Sequence, residues 1–461
     1  MSNEKIIEAI QAKLGDKGVL TEAALKEKHK ADASGELAEH LPAAVFRPAT
    51  TEEVSFVLEI CHEHGQSIAI QGGLTGLSAG AIPEQAELAL SLERMSGIEE
   101  IDSGSMTMTV LAGTPLQSIQ EAAQQAGLSF PLDLGSRGTC NIGGNVSTNA
   151  GGNQVIRFGM TRALILGLEA VLADGTVISS MNKMLKNNAG YDLKQLFIGT
   201  EGTLGIVTRV VVRLYPQLES RCTALCALSD LDDVISLLQL TNKSMAGLLS
   251  SYEVMWANYY DFVLNNVSEL QSPFDEKHEF YVLMEIEGSN QEKDNQAYQA
   301  MLESALDSGL IKDAAIAQSE KEAAAFWRIR DGVADLLPLL GQSANFDIGV
   351  PISKMREFID EADRRLKAVF PDIDIQVFGH LGDSNLHYLA RSEGKTDKDR
   401  VYDIIYELVG EFDGSVTAEH GIGKIKKKYL TYSRTDNEIQ LMRLLKQSLD
   451  PKGILNPGRV I

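Results

Sequence analysis

Residues 131–159, PLDLGSRGTCNIGGNVSTNAGGNQVIRFG, decide how the rest of the chain is read. They include Gly135, Gly138, Gly143, Gly144, Gly151, Gly152 and Gly159, interleaved with Ser136, Thr139, Asn141, Asn145, Ser147, Thr148 and Asn149. Neither a 3.6-residue nor a two-residue apolar period runs through the stretch, so it is not read as a core element. Glycine lets the main chain approach a ligand closely and turn its N–H groups toward an anion. A flexible linker would be equally rich in glycine. It would not be bounded by NQVIRFG and LILGLEAVLADGTVI, which read as ordered structure. The stretch is therefore read as a cradle for a phosphate-bearing cofactor.

Two other segments have the same character. Gln71-Gly72-Gly73-Leu74-Thr75-Gly76-Leu77, continuing to Gly80, is a strand opening into glycines and hydroxyls. Ile198-Gly199-Thr200-Glu201-Gly202-Thr203-Leu204-Gly205-Ile206-Val207 is a glycine turn flowing into a strand. Neither G-x-G-x-x-G nor G-x-x-x-x-G-K-[ST] occurs, which argues against a Rossmann site or a P-loop. Each segment alone reads equally well as a tight turn; the three in order read as one anion site.

At 461 residues the chain should form two or three domains. Its cysteines, Cys61, Cys140, Cys222 and Cys226, form no C-x-x-C pair, which points to a reducing cytosol and no iron–sulfur cluster. A net charge of −22 disfavours nucleic acid and anionic membranes. No run approaches the ~18 apolar residues of a membrane helix. The opening MSNEKIIEAIQAKLGDK is charged and lacks a signal-peptide core, so a cytoplasmic protein is expected. Residues 1–45 read as a helix and a loop, and TTEEVSFVLEICHEHG as an amphipathic helix capped by Thr50 or Thr51 with Glu53 in reach. Beyond Pro216, strand-like and helical segments alternate, suggesting a mixed sheet with helices on one face. The C-terminal segment reads as mainly helical. The expected division is 1–216, 217–415 and 416–461.

Three of the eight histidines fall late in the chain: His380, His387 and His420. Gly-Asp-Ser-Asn lies between IQVFGH and LHYLA, so a hairpin should set His380 and His387 opposite each other. Glu419 and His420 follow in AEHGIG. Two histidines and a carboxylate form a typical catalytic zinc set. The spacing fits two ordinary hydrogen-bonded histidines equally well.

FRPATTEEV, PLDLGSRGTCNIGGNVSTNAGG, KNNAGYDLKQLFIGTEGTLGIVT, GHLGDSNLH, TAEHGIG and LDPKGILNP together resemble the FAD-linked oxidases of the vanillyl-alcohol-oxidase/PCMH type. The nearest branch in this resemblance is the D-lactate and D-2-hydroxyglutarate dehydrogenases. It implies an α+β chain: a PCMH-type two-subdomain FAD-binding domain, then a mixed α/β substrate (cap) domain, then a short C-terminal helical segment that completes the flavin site. The implied FAD site comprises Gln71, Gly72, Gly73, Leu74, Thr75, Gly76, Leu77, Pro131, Leu134, Gly135 and Thr139. Gly143, Gly144, Asn145, Ser147, Thr148, Asn149, Gly151 and Gly152 continue it, with Glu201, Gly202, Gly205, Ile206 and Val207 on the adenine side and Asn456 as a further member. Some relatives attach flavin covalently through a histidine beside the glycine loop; residues 71–80 contain none, so FAD should be non-covalent.

By the same resemblance, His380, His387 and Glu419 hold a divalent metal, zinc by preference, and Arg330 binds the substrate carboxylate. Arg328 is read as a surface ion pair. His420 is the candidate base, or alternatively a residue that only orients the ligands. Relatives acting on D-2-hydroxyglutarate place a threonine and a lysine at the distal carboxylate; here those positions are Ala334 and Asn345. The implied activity is FAD-dependent, metal-assisted oxidation of a D-2-hydroxy acid such as D-2-hydroxyglutarate, D-lactate or D-malate. Electrons would pass to a non-NAD acceptor, a quinone or an electron-transfer flavoprotein, and a homodimer is one option. Two other classes stand beside this one: a metal-dependent hydrolase, and an electron-relay flavin subunit of a glycolate-oxidase-like complex.

Overall fold

The helix Thr51–His64 begins where its sequence says it should. The Thr50 hydroxyl accepts the Glu53 N–H at 3.2 Å, and the Glu53 carboxylate accepts the Ala49 N–H at 2.7 Å. Its apolar stripe, Val54, Val57, Leu58 and Cys61, is fully buried. The computed structural model describes residues 3–21, 24–25, 27–84, 87–333, 336, 343–392 and 397–461. It divides into two units: one of residues 1–152, 159–217 and 419–461, the other of residues 153–158 and 218–418.

The first unit carries two main sheets. The smaller has the spatial order Val19–Thr21, Ala44–Phe46, Leu88–Ser91, Ile68–Gln71. Its last three strands are parallel. Leu88–Ser91 is buried at every position, as the apolar run Leu88-Ala89-Leu90 in a parallel sheet should be. The larger sheet is antiparallel, ordered Ile98–Asp102, Thr107–Leu111, Ile206–Arg213, Ile165–Val171, Val177–Ser180. Ile98–Asp102 is an exposed edge strand whose polar sequence, IEEID, hid it from periodicity.

The second unit is built on seven strands, ordered Asp313–Ile316, Ser220–Leu228, Phe280–Gly288, Leu249–Trp256, Asp374–Gly379, Asn385–Arg391, Ala344–Gly349. The alternation of strands and helices led to the expectation of a mixed sheet with helices on one face. Every strand pair is antiparallel instead. Ser220–Leu228 and Leu249–Trp256, joined through the helix Leu231–Ser244, do run parallel, but Phe280–Gly288 sits between them. Such split β-α-β units keep the crossover while removing parallel neighbours. Helices cover both faces. Tyr252 packs toward Leu231–Ser244, its hydroxyl donating to the Val234 carbonyl at 2.6 Å. Met255, Leu283, Phe378 and Leu389 pack on the other face against Tyr259, Tyr260 and Val263 of Ala257–Asn266 and Phe326 and Ile329 of Glu320–Asp331.

The C-terminal segment contains one α-helix, Asp436–Leu449, opened by a Thr435/Glu438 capping box; much of the remainder is irregular. No helix among the described residues is long and apolar enough to cross a membrane.

Candidate functional site

In the first unit the glycine segments meet through their backbones. A Cβ on Gly73 would lie 2.2 Å from the Thr139 carbonyl, so only glycine lets the 71–77 loop approach 139–141 this closely. Within 131–159 the structure forms a seven-residue helix, Ile142–Thr148, whose cap Asn141 accepts the Gly144 N–H at 3.2 Å. Ser147 and Thr148 of this helix, and Gly135, Thr139, Asn149, Thr75 and Leu77, stay at least partly exposed. Asn145 is buried, and its Oδ1 has no hydrogen-bond partner. A buried acceptor left this way fits a cradle shaped for a polar ligand.

Other residues of the expected set hold the cradle together. The buried Gln71 amide donates to the carbonyls of His29 and Ala81, at 2.9 and 3.1 Å. Gly143 lies against Ala112, and Ile206 and Val207 are buried in their strand. Asn456 accepts the Ile70 N–H at 2.8 Å and donates to the Glu201 carbonyl at 2.7 Å. Glu201 accepts the N–H groups of Ile422 and Gly423, at 2.7 and 2.9 Å. Burial raises its pKa, and those two N–H groups oppose the shift. Glu419, expected as a metal ligand, accepts the Gly152 N–H at 2.6 Å, while the His420 carbonyl accepts from Ser78 Oγ at 3.1 Å.

Gly152 makes a direct test of the cradle. Its φ is +106°, and a Cβ there would stand 2.0 Å from the Asp133 carbonyl. Positive-φ strain of about 1–3 kcal/mol would add to that collision. Gly152→Ala should therefore purify with a markedly lower flavin-to-protein absorbance ratio. An unchanged ratio would show that the glycine pair is not part of the cradle.

In the second unit, three buried side chains close a triangle. Glu253 Oε2 accepts from Arg330 Nε at 2.9 Å, and Glu253 Oε1 lies 2.7 Å from His380 Nδ1. Arg330 Nη2 is 3.0 Å from His380 Nε2. Glu253 is 1% exposed, His380 5% and Arg330 8%, so these charges are held out of water by one another. Burial alone would raise the Glu253 carboxyl; Arg330 and His380 overcome it and hold the group down at about 2. Burial likewise works against the Arg330 charge, and the Glu253 carboxylate more than restores it. The Tyr259 hydroxyl fixes the end of the arginine's helix through the Arg330 carbonyl, at 2.5 Å. Arg328 is exposed and pairs with Glu269 at 3.1 Å, the surface role expected of it.

The histidine hairpin forms, but not in the expected register. Phe378, not His380, lies opposite His387, because Asp374–Gly379 ends one residue before His380. A short helical turn, Leu381–Asp383, then carries the chain back. His380 and His387 still end with ring centroids 5.3 Å apart, and His387 lies 4.9 Å from the Phe378 ring. Asp347, directly opposite His387 on the neighbouring strand, is fully buried; its Oδ2 accepts from Thr417 Oγ1 at 3.0 Å. Asn345 lies two residues earlier on the same sheet face, exposed, and accepts from Ser343 Oγ at 2.7 Å. Ala334 lies outside the described residues.

The sequence reading missed Glu253 and Asp347. Each is the lone charge in a strand otherwise free of charged residues, SSYEVMW and NFDIG, and that is the signal that would have found them. Glu253 orients an arginine and an imidazole together; with its Nδ1–H donated to a carboxylate, His380 presents a lone pair at Nε2.

A family model described as the FAD binding domain matches residues 42–180, and the C-terminal domain of FAD linked oxidases matches residues 217–460. The chain belongs to the FAD-linked oxidase family. It is thus an FAD-linked oxidoreductase, which sets the hydrolase reading aside. A D-2-hydroxyglutarate dehydrogenase of Xanthomonas citri pv. viticola is 37% identical over 426 residues, covering 91% of this chain and 89% of that protein. A mitochondrial D-2-hydroxyglutarate dehydrogenase of Arabidopsis thaliana is 36% identical over 416 residues, 90% of this chain and 74% of that protein. Among solved structures, p-cresol methylhydroxylase with substrate bound superposes with a TM-score of 0.77 at 18% identity, covering 99% of this chain and 96% of that one. That likeness establishes the PCMH-type fold of this FAD-linked oxidase.

Proposed function

We propose that this FAD-linked oxidase converts a D-2-hydroxy acid to the 2-oxo acid and passes the electrons to a non-NAD acceptor, a quinone or an electron-transfer flavoprotein. The observation that carries the reading is the buried Arg330 guanidinium, held against His380 by Glu253 on the sheet face that also bears His387. The names of the relatives support the hydroxy-acid class. Bound FAD supplies the hydride acceptor. The chain's residues do the rest. Arg330 offers a planar, permanently charged fork to the acid's carboxylate. Glu253 keeps the arginine and His380 in fixed orientation, and His420 accepts the hydroxyl proton. Complete glycine loops without a histidine in residues 71–80 support non-covalent FAD. Acid precipitation should leave all the yellow colour in the supernatant; colour in the pellet would contradict this.

A divalent metal fits the donors that this unit presents. His380 Nε2 and the His387 imidazole are borderline ligands, and Asp347 is a carboxylate opposite His387. The His380 lone pair now accepts from Arg330 Nη2, so loading a metal requires that guanidinium edge to turn away. Zinc held by His380, His387 and Glu419 would polarise the substrate hydroxyl. Dye-linked turnover with D- and L-2-hydroxy acids tests the whole reading. Activity should appear with the D acids, disappear on chelation with flavin absorbance intact, and return with Zn²⁺. His380→Ala should match the chelated enzyme. Full activity in that variant or after chelation would remove the metal from the proposal.

A further inference from the structure

We propose that Glu201 is a positioning residue for the base: its carboxylate fills a nest of backbone N–H groups and so fixes where His420 stands. This rests on the reading of His420 as the base above. Residues 419–423 form a loop outside any helix or strand, so no regular element sets its path. Gly421 and Gly423 have φ of +80° and +51°, and the N–H groups of Ile422 and Gly423 converge on one point. Successive N–H groups arranged in this way bind an anion. Here the anion belongs to the chain itself. Glu201 Oε1 accepts from Ile422 at 2.7 Å, and Oε2 accepts from Gly423 at 2.9 Å. The fit leaves no room to spare, since a Cβ on Gly421 would stand 2.8 Å from Glu201 Oε1.

Glu201 is itself held so that its side chain is aimed. Its φ of +52° is uncommon for a residue with a Cβ. Its N–H donates to the Ser147 carbonyl at 2.8 Å, and its carbonyl accepts from Asn456 Nδ2 at 2.7 Å. The buried Lys426 favours the charged form of the carboxyl. Two other bonds reach the same loop. Gly152 N–H donates to Glu419 Oε1 at 2.6 Å, and Ser78 Oγ donates to the His420 carbonyl at 3.1 Å. The Ser78 carbonyl also accepts the Lys424 N–H at 2.9 Å, just beyond the loop. Each of the three glycine segments thus supplies a hold on the chain around His420, through Ser78, Gly152 and Glu201. Glu201 supplies two charge-assisted bonds at once, both within three residues of the histidine. An imidazole moved by about 1 Å loses on the order of 100-fold as a base.

The test is kinetic and uses the holoenzyme with a D-2-hydroxy acid. Glu201→Ala keeps the Cβ and both backbone bonds while emptying the nest. It should keep its flavin and lose about 100-fold in kcat, with KM within about threefold, because substrate binding is untouched. Glu201→Gln retains one acceptor oxygen and should lose about tenfold in kcat. Acetate carries the atoms that Glu201→Ala removes, so added acetate should raise that variant's kcat at least about tenfold, and chloride at equal ionic strength should not. In a His420→Ala background, Glu201→Ala should cost less than about threefold further, because the group it positions is gone. A fully additive loss in the double variant, or a raised KM at unchanged kcat, would overturn the inference and leave the base reading standing. Loss of flavin from both Glu201→Ala and Glu201→Gln would overturn it as well, by making the carboxylate part of the cradle alone. Normal turnover in His420→Ala would remove the base reading, and this inference with it.

Discussion

Arg330→Ala should lose on the order of 30-fold to several thousand-fold in kcat/KM on every 2-hydroxy acid, because each has the carboxylate that this side chain binds. Truncating one member of a buried charge-assisted pair costs roughly 2–5 kcal/mol, and that range sets the fold-change. The same substitution should weaken folding by about 3–5 kcal/mol, since Glu253 would be left as a buried charge. The Glu253 carboxyl sits at about 2 in the folded protein, below its ordinary value of 4.5. Its contribution to stability is therefore complete above that ordinary value and is lost as pH falls toward about 2. Without Arg330 the folded-state value should rise, and acid unfolding should begin at higher pH. Denaturant melts between neutral pH and about pH 3, with steady-state kinetics, check both parts. Arg330→Lys should rescue only part of the loss, because an ammonium cannot reproduce the planar fork. Normal turnover in Arg330→Ala would show that the substrate carboxylate lies elsewhere.

Arg459→Ala should be as damaging to the first unit. Arg459 is 1% exposed and forms a bidentate pair with Glu87, at 2.7 and 2.9 Å. It also donates to the carbonyls of Gly80, Ile82 and Pro457, at 3.2, 2.6 and 2.7 Å. Removing it strands a buried carboxylate and these carbonyls together, a loss of about 3–5 kcal/mol. Three residues earlier, Asn456 ties Ile70 to Glu201, so the same C-terminal strap braces two of the three glycine segments. Flavin content should fall together with the denaturation midpoint. A variant that kept its flavin and its midpoint would show that the strap is dispensable.

What the sequence made legible was local. The Thr50 cap and the glycine segments could be read because their signals lie within one turn or loop. Pairings between distant residues could not. The partner of Arg330 is 77 positions away on Leu249–Trp256, a strand the reading passed over. The histidine hairpin was expected to pair two residues further along than it does, because the length of a turn does not say where pairing stops; Gly379 ends the strand, and a Cβ there would stand 2.7 Å from the Asn385 carbonyl oxygen and 3.0 Å from Leu386 Cα. The antiparallel sheet was hidden because an inserted strand leaves the β–α–β order of the sequence unchanged.

The central claim is that this FAD-linked oxidase takes a hydride from a D-2-hydroxy acid. The most direct measurement is the flavin absorbance of the purified holoenzyme, mixed without oxygen with one acid at a time. The D acids should bleach the oxidised flavin band, and the L acids should leave it unchanged. A flavin that stays oxidised with every D-2-hydroxy acid, yet bleaches with dithionite, would contradict the account and favour a subunit that only relays electrons.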